Sequence, residues 1–357
     1  MRWPSIFSEA WRNILVGTAH CAGVAVLFSG LLGILLVADA WNIVSEIHQV
    51  EDFRNAGGSV IVLTAPHMID GASCDRLRNL PGIRASGAVV QLANGLEVPA
   101  LPDAEIPTFA ATPGIAEIVK GRSSGPGGII LSQELAEQLV VGPGDSITTN
   151  SGLARVSQVF PYPSDGRLPI LEYAALMPST SAGTFDSCWA DIWPPDSEKA
   201  ALLRTAIVPS VTAVDNSIEL RQLNSTVAPT AIGYPAYEAR VTAAAGSAGV
   251  VLSWMLGSGV VWLRRLEIAS ALHAGVKKGA LLVQVALEML AGLLPGAILT
   301  FPAIAVTTRS VGATDRIAIW EGALLLALLS LASGVIGGLA SVISIRESSL
   351  FRYFKER

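Results

Sequence analysis

Four stretches of this chain are long and apolar enough to cross a lipid bilayer, and nothing else in the sequence limits its fold as strongly. A helix needs roughly 20 apolar residues to span the hydrocarbon. The first stretch, residues 13–38, lies between Arg12 and Asp39 and holds no charge other than that of His20. The second covers about 243–263 and ends at Arg264 and Arg265. The third, about 280–306, contains Glu288, Pro295 and Pro302, and the fourth covers about 319–343. Only 15% of the chain is charged, against about 25% in an average soluble protein. Buried core helices would be the alternative, but three of the four stretches crowd into the last third of the chain. A cleaved secretory signal would be the alternative for the first, with Ala38-Asp39-Ala40 as its cleavage site. Its apolar core is too long for that, since signal cores run to roughly 7–15 residues.

Orientation follows from the basic residues near the span ends. Arg2 and Arg12 precede the first span. Arg264, Arg265, Lys277 and Lys278 lie between the second and third, and Arg346, Arg352, Lys355 and Arg357 follow the fourth. Four crossings put these regions on one side, the cytoplasm. The expected fold is a four-helix membrane protein with a large extracytoplasmic mixed α/β domain inserted between the first and second spans. The expected division is 1–40 (lead-in and first span), 41–240 (outer domain), 241–264 (second span), 265–278 (cytoplasmic connection), 279–308 (third span), 309–318 (outer loop), 319–345 (fourth span) and 346–357 (cytoplasmic tail). Residues 41–240 hold 12 basic and 21 acidic side chains, a net −9. The remainder holds 12 and 8, a net +4, which together give the chain's −5. No basic tail or like-charge run points to nucleic acid.

Within the outer stretch, residues 59–65 read as a strand and 70–83 as a helix entered at Ser73 and stopped at Pro81-Gly82. Residues 129–131 read as a buried strand, Ser132 as the cap of the helix that follows, and 146–148 as the start of another strand. The Pro-rich runs at 161–169 and 193–195 read as loops. Cys74 and Cys188 are the cysteines of this region, and an oxidising compartment favours their pairing; two buried free thiols would be the alternative. Cys21 lies in the first span and reads as a small packing residue. The region's two histidines, His48 and His67, lie in no HExxH motif, and no GxSxG or carboxylate pair stands in a recognisable catalytic context. Neither catalysis nor a bound metal is therefore expected.

One helix, a large outer domain and three further helices resemble the permease subunits of MacB-like and FtsX-like ABC transporters. Two local patterns carry the resemblance. Residues 264–290 read RRLEIASALHAGVKKGALLVQVALEML. They are similar to the family segment that begins with basic residues and Glu-Ile-Ala, turns at a glycine before a basic pair, and meets a glutamate in the third helix. The matching residues are Glu267, Ile268, Ala269, Gly275, Lys278 and Glu288. Residues 109–149 resemble the core of the MacB-type outer domain, with Gly121-Arg122, a strand, Ser-x-x-Leu-Ala and Gly-Asp. His273 and Ala274 depart from the family's usual Ala-Leu, and 150–240 match nothing assignable.

The resemblance implies that 265–278 is a coupling helix docking on a separate ATPase, with Glu267, Ile268, Ala269, Leu272, Gly275, Lys277 and Lys278 as its residues. The connection is long enough for about four turns. Leu266, Ala269, Leu272 and Val276 form an apolar stripe along it. Glu267 near its start and Lys277 and Lys278 near its end would suit the helix dipole. The chain has no G-x-x-x-x-G-K-[ST] phosphate loop, so ATP and Mg²⁺ are expected on the partner and no cofactor in this chain. Glu288 is expected to pair with Arg264 or Arg265, or to snorkel to the inner interface. By resemblance a second permease packs at the first two helices, and glycines at 246, 249, 257, 259, 334, 337 and 338 suit such packing. The family members are mechanotransmitters acting on an extracytoplasmic peptide, lipoprotein, antibiotic or lipid-linked substrate. An outer partner such as a cell-wall enzyme is the second reading, and a membrane-anchored sensor with no ATPase is the third.

Overall fold

The computed structural model describes residues 3–101, 105–125, 127–150, 152–208, 218–227 and 234–347. Arg2, the tail residues Arg352, Lys355 and Arg357, and 228–233 of the return toward the second span lie outside the described residues. The chain forms two compact units, one of Met1–His48 with Ile232–Arg357 and one of Gln49–Ala231.

Helices α1 (Trp3–Val16) and α2 (Cys21–Asn55) come first. Next come β1 (Val60–Asp70), α3 (Gly71–Arg76), β2 (Ile83–Gln91), β3 (Thr108–Ala111), α4 (Pro113–Val119), β4 (Arg122–Ser123) and β5 (Ile129–Ser132). They are followed by α5 (Gln133–Gln138), β6 (Ser146–Thr149), β7 (Gly152–Phe160), β8 (Ala175–Pro178), β9 (Thr184–Ile192), α6 (Ser197–Ala201) and β10 (Glu219–Gln222). Helices α7 (Tyr234–Ala239), α8 (Ala245–Leu263), α9 (Arg265–His273), α10 (Lys278–Ile298), α11 (Phe301–Thr307) and α12 (Ala313–Ser344) complete the described chain. Four stretches, α2, α8 with its lead-in from Val241, α10 with α11, and α12, are long and apolar enough to cross a membrane. The protein is a multi-pass membrane protein.

The first span differs from the sequence expectation at both ends. Gly17 (φ +82) and His20 (φ +50) take left-handed backbone and break the helix, so the spanning helix starts at Cys21. Residues 3–16 form a separate helix with Ile6 and Ala10 buried and Phe7, Trp11 and Leu15 exposed. At its far end α2 passes residue 40 and continues to Asn55. Residues 41–55 hold no Gly or Pro, so nothing in them interrupts helical hydrogen bonding. The third span breaks after Ile298 because Pro302 has no N–H to donate and its ring would strike the Ile298 carbonyl. The loop before α12 is shorter than expected, since that helix already begins at Ala313.

In lipid no hydrophobic force pulls helices together, so close backbone packing must. A Cβ on Gly257 of α8 would lie 1.9 Å from the Gly334 carbonyl oxygen of α12. The Ser333 hydroxyl donates to the Val250 carbonyl at 2.7 Å and that of Ser258 to Gly337 at 3.1 Å. A Cβ on Gly296 of α10 would lie 2.7 Å from the Ala25 carbonyl of α2. Gly257, Gly334 and Gly337 thus pack within one chain rather than between subunits. Gly259 is different, with nothing within 4 Å of where its Cβ would be.

The α/β unit is one mixed sheet in the order β10-β1-β9-β2-β3-β8-β5-β7-β4, with β6 on β7. The pairs β3/β8 and β5/β7 are parallel and the others antiparallel. Trp189 of β9, fully buried, fills one core with Ile115, Phe160 and Leu176. The opposite core contains Leu63, Ile69 and the disulfide between Cys74 of α3 and Cys188 of β9, with Cα atoms 5.8 Å apart. Helix α3 is capped by Asp70, whose side chain accepts from the Ser73 N–H, rather than by Ser73. Ser132 makes no side-chain cap for α5; its hydroxyl accepts from the Ala174 N–H instead.

The disulfide closes a sequence separation of 114 residues. By loop entropy such a bridge is worth at most about 5 kcal/mol. The double variant Cys74→Ala/Cys188→Ala is expected to unfold its α/β unit at clearly lower temperature, followed by tryptophan fluorescence and limited proteolysis. An unchanged melting midpoint would contradict this.

Candidate coupling site

Glu288 lies in the middle of α10, 1% exposed. An ionised carboxylate there must be paired and hydrogen-bonded, because hydrocarbon supplies no partner. Its Oε1 accepts from Asn13 Nδ2 at 2.8 Å and Gln284 Nε2 at 3.1 Å, and its Oε2 from Arg264 Nη1 at 2.5 Å. The Cys21 thiol donates to the Glu288 backbone carbonyl at 3.4 Å. Arg264, with a side chain only 10% exposed, caps both the end of α8 and the start of α9. Its Nε donates to Glu267 Oε2 at 3.0 Å. One guanidinium therefore joins the first turn of α9 to the interior of the membrane unit. Arg265 instead lies over the Trp262 ring.

Helix α9 has nine residues, shorter than the expected 265–278. Gly275, at φ +84, stops it. The N–H of Gly275 bonds to the Leu272 carbonyl and that of Val276 to Ala271, both at 3.0 Å, the paired bonds of a glycine-terminated helix end. Lys277 and Lys278 consequently fall outside the last turn of α9 and cannot serve its dipole as expected. They begin α10, and Lys278 Nζ donates to the Ile343 carbonyl at the end of α12. His273 takes the last-turn position, with Nδ1 2.9 Å from Glu347 Oε1.

The apolar residues of α9 face inward. Ile268 and Ala269 are buried in the core that contains Val285, Met289 and Leu293, and Leu266, Leu272 and Val276 pack against it. The stripe is thus consumed by the membrane unit itself. The free face carries Glu267, whose side chain is 58% exposed, with Ser270, His273, Ala274 and Gly275. The partners Asn13 and Gln284 were not anticipated from the sequence. Gln284 had a signal, since it lies one helical turn before Glu288; Asn13 had none short of the fold.

No family model matches the chain, and no curated protein matches it. Among solved structures it is similar to the periplasmic region of MacB from Actinobacillus actinomycetemcomitans. That likeness is at 10% identity and TM-score 0.34, over 48% of this chain and 92% of that one. It is also similar to the extracellular domain of the ABC-type transporter YknZ from Gram-positive bacteria, at 16% identity and TM-score 0.30, over 45% and 99%.

Removing one partner of a buried pair leaves the other charge uncompensated, at about 3–5 kcal/mol, whereas an apolar replacement of both is often close to neutral. Arg264→Met alone is therefore expected to destabilise the detergent-solubilised protein strongly, and Arg264→Met/Glu288→Met to recover most of the loss. Thermal unfolding of the two variants tests this. A double variant less stable than the single one would contradict the pairing.

Proposed function

We propose that this chain is the permease subunit of an ABC transporter, which transmits the motion of a separate ATPase to an extracytoplasmic α/β unit. The observation that carries the reading is Arg264. A short helix between two spans has its apolar face packed in the bundle and its polar face free, and one buried guanidinium ties it to Glu288. A protein docking on Glu267, Ser270 and His273 would move α9, and a rigidly paired α9 would move α10 with it. His273 in the last turn of α9 meets Glu347 just past α12, and Lys278 at the start of α10 donates to the Ile343 carbonyl of α12, so a push reaches two spans. Such coupling works only if ATP favours one of two arrangements through differential contacts.

The orientation rests on the basic residues beside α9, and the net −9 of residues 41–240 is consistent with it. A second permease copy fits the exposed apolar faces of α2 and α8, which include Val26, Leu27, Ile34, Val251 and Met255. Force transmission to an outer enzyme uses the same machinery and differs only in what the α/β unit acts on.

Copurification tests the reading. The tagged chain, extracted from its native membrane, is expected to bring with it a protein bearing a phosphate loop. Glu267→Lys reverses an exposed charge on the free face. Gly275→Ala leaves the surroundings unaltered but strains a left-handed residue by about 1–2 kcal/mol. Each is expected to lower the recovered ATPase about tenfold, the equivalent of about 1.4 kcal/mol of docking energy, with membrane insertion intact. A chain that purifies with no ATPase would favour the sensor reading and overturn this one.

A further inference from the structure

The α/β unit contains a cavity of about 220 Å³ whose lining includes Arg54, Lys120, Asp191, Ile118, Trp189 and Leu223. Its charges are out of balance. Arg167 on the same wall is already occupied: it pairs with Asp165 at 2.7 Å, donates to the Asn55 carbonyl at 3.1 Å and lies over the Tyr162 ring. Asp191, 5% exposed, accepts from the Ser59 hydroxyl at 2.6 Å. Arg54, in the last turn of α2, and Lys120, just past α4, make no ion pair among the described residues. The Nε of Arg54 is buried with no hydrogen-bond partner. A buried donor in that condition calls for an explanation, a bound ion among them. Partial desolvation first, and then the Arg54 charge, holds the Lys120 ammonium below the ordinary lysine range; Asp191 opposes this, and Arg84 adds to it more weakly.

We infer that this cavity binds a carboxylate carried on an apolar group about the size of one amino-acid residue. The carboxylate meets Arg54 and Lys120, and the apolar part lies on Ile118 and Leu223. Among the lining residues other than the paired Arg167, Arg54 and Lys120 balance Asp191 plus one ligand charge, with Arg84 exposed outside the lining. Volume selects the size. The space equals about seven waters at about 30 Å³ each, below the roughly 300 Å³ at which pockets for drug-sized ligands begin. A free small acid and the C-terminus of a peptide both offer this chemistry. The inference rests on the α/β unit alone and is independent of the ATPase partnership.

Calorimetric titration of the full chain in nanodiscs tests it with four probes. These are N-acetyl-leucine, an acetylated tripeptide ending in leucine with a free carboxylate, the same tripeptide as its amide, and inorganic phosphate. Both acids are expected to bind, and the amide about tenfold more weakly or not at all. A tripeptide acid tighter than N-acetyl-leucine identifies a peptide terminus; equal or weaker binding identifies a free acid. Arg54→Met and Lys120→Gly are each expected to weaken the acids about tenfold. Lys120 has φ +39, a conformation that glycine adopts freely, so its variant removes the charge without straining the fold. Equal binding of acid and amide, binding of neither acid, unaltered affinity in a Lys120→Gly protein that melts like the parent, or displacement of the acid by phosphate at lower concentration would each overturn the assignment.

Discussion

A carboxylate buried among membrane helices is tolerated only where the fold supplies every partner it needs, and Glu288 has three donors around it. Placing an ionisable group at mid-helix opposes membrane insertion by roughly 2.5–3.5 kcal/mol. The arrangement that offsets this also sets the geometry of the turn between α8 and α9. Asn13 brings α1 onto α10, Gln284 comes from the preceding turn of α10, and Arg264 turns the chain between α8 and α9. Once Arg264 is committed to Glu288, its Nε is left to fix Glu267 at the start of α9. The short helix is then an extension of the bundle rather than a loose loop. Its inward residues Ile268 and Ala269 follow from that anchoring.

The glycines supply the second condition. Helices α8 and α12 approach until Gly257 faces the Gly334 backbone directly, and α2 and α10 do the same around Gly296. The serine bonds across the α8–α12 contact join hydroxyls to backbone carbonyls that have no water to turn to. Residues outside these contacts, such as Leu27 and Ile34 on α2 and Leu325 and Leu328 on α12, keep apolar side chains exposed. That is the surface expected of helices bathed in lipid or in a second apolar partner.

The spans were legible because a bilayer demands long apolar runs, whatever the tertiary structure. Their ends were not. The break at 17–20 lies in left-handed backbone at Gly17 and His20, and apolar composition carries no record of φ. The length of α9 was misread for a related reason: Gly275 was identified by its place in a pattern, while its action is to end the helix before the lysines. The inward stripe on α9 was visible as periodicity, but periodicity does not say whether the apolar face meets another protein or its own bundle. Within the α/β unit, strands such as β1 and β5 show in their β-branched runs. The insertion of β9 between β1 and β2 depends on pairing across more than a hundred residues and has no local signature. Arg54 escaped notice because it was read as part of an outer domain that begins at residue 41; only the extension of α2 to Asn55 brings it to the cavity.

Coupling as proposed requires α9 and the α/β unit to lie on opposite faces of the membrane. Single-cysteine chains in a Cys21→Ser background, with the Cys74–Cys188 disulfide intact, measure this directly. Gln133→Cys in α5 should react with a membrane-impermeant maleimide on intact cells. Ser270→Cys in α9 should react only after permeabilisation. Equal labelling of both positions in intact cells would contradict the account.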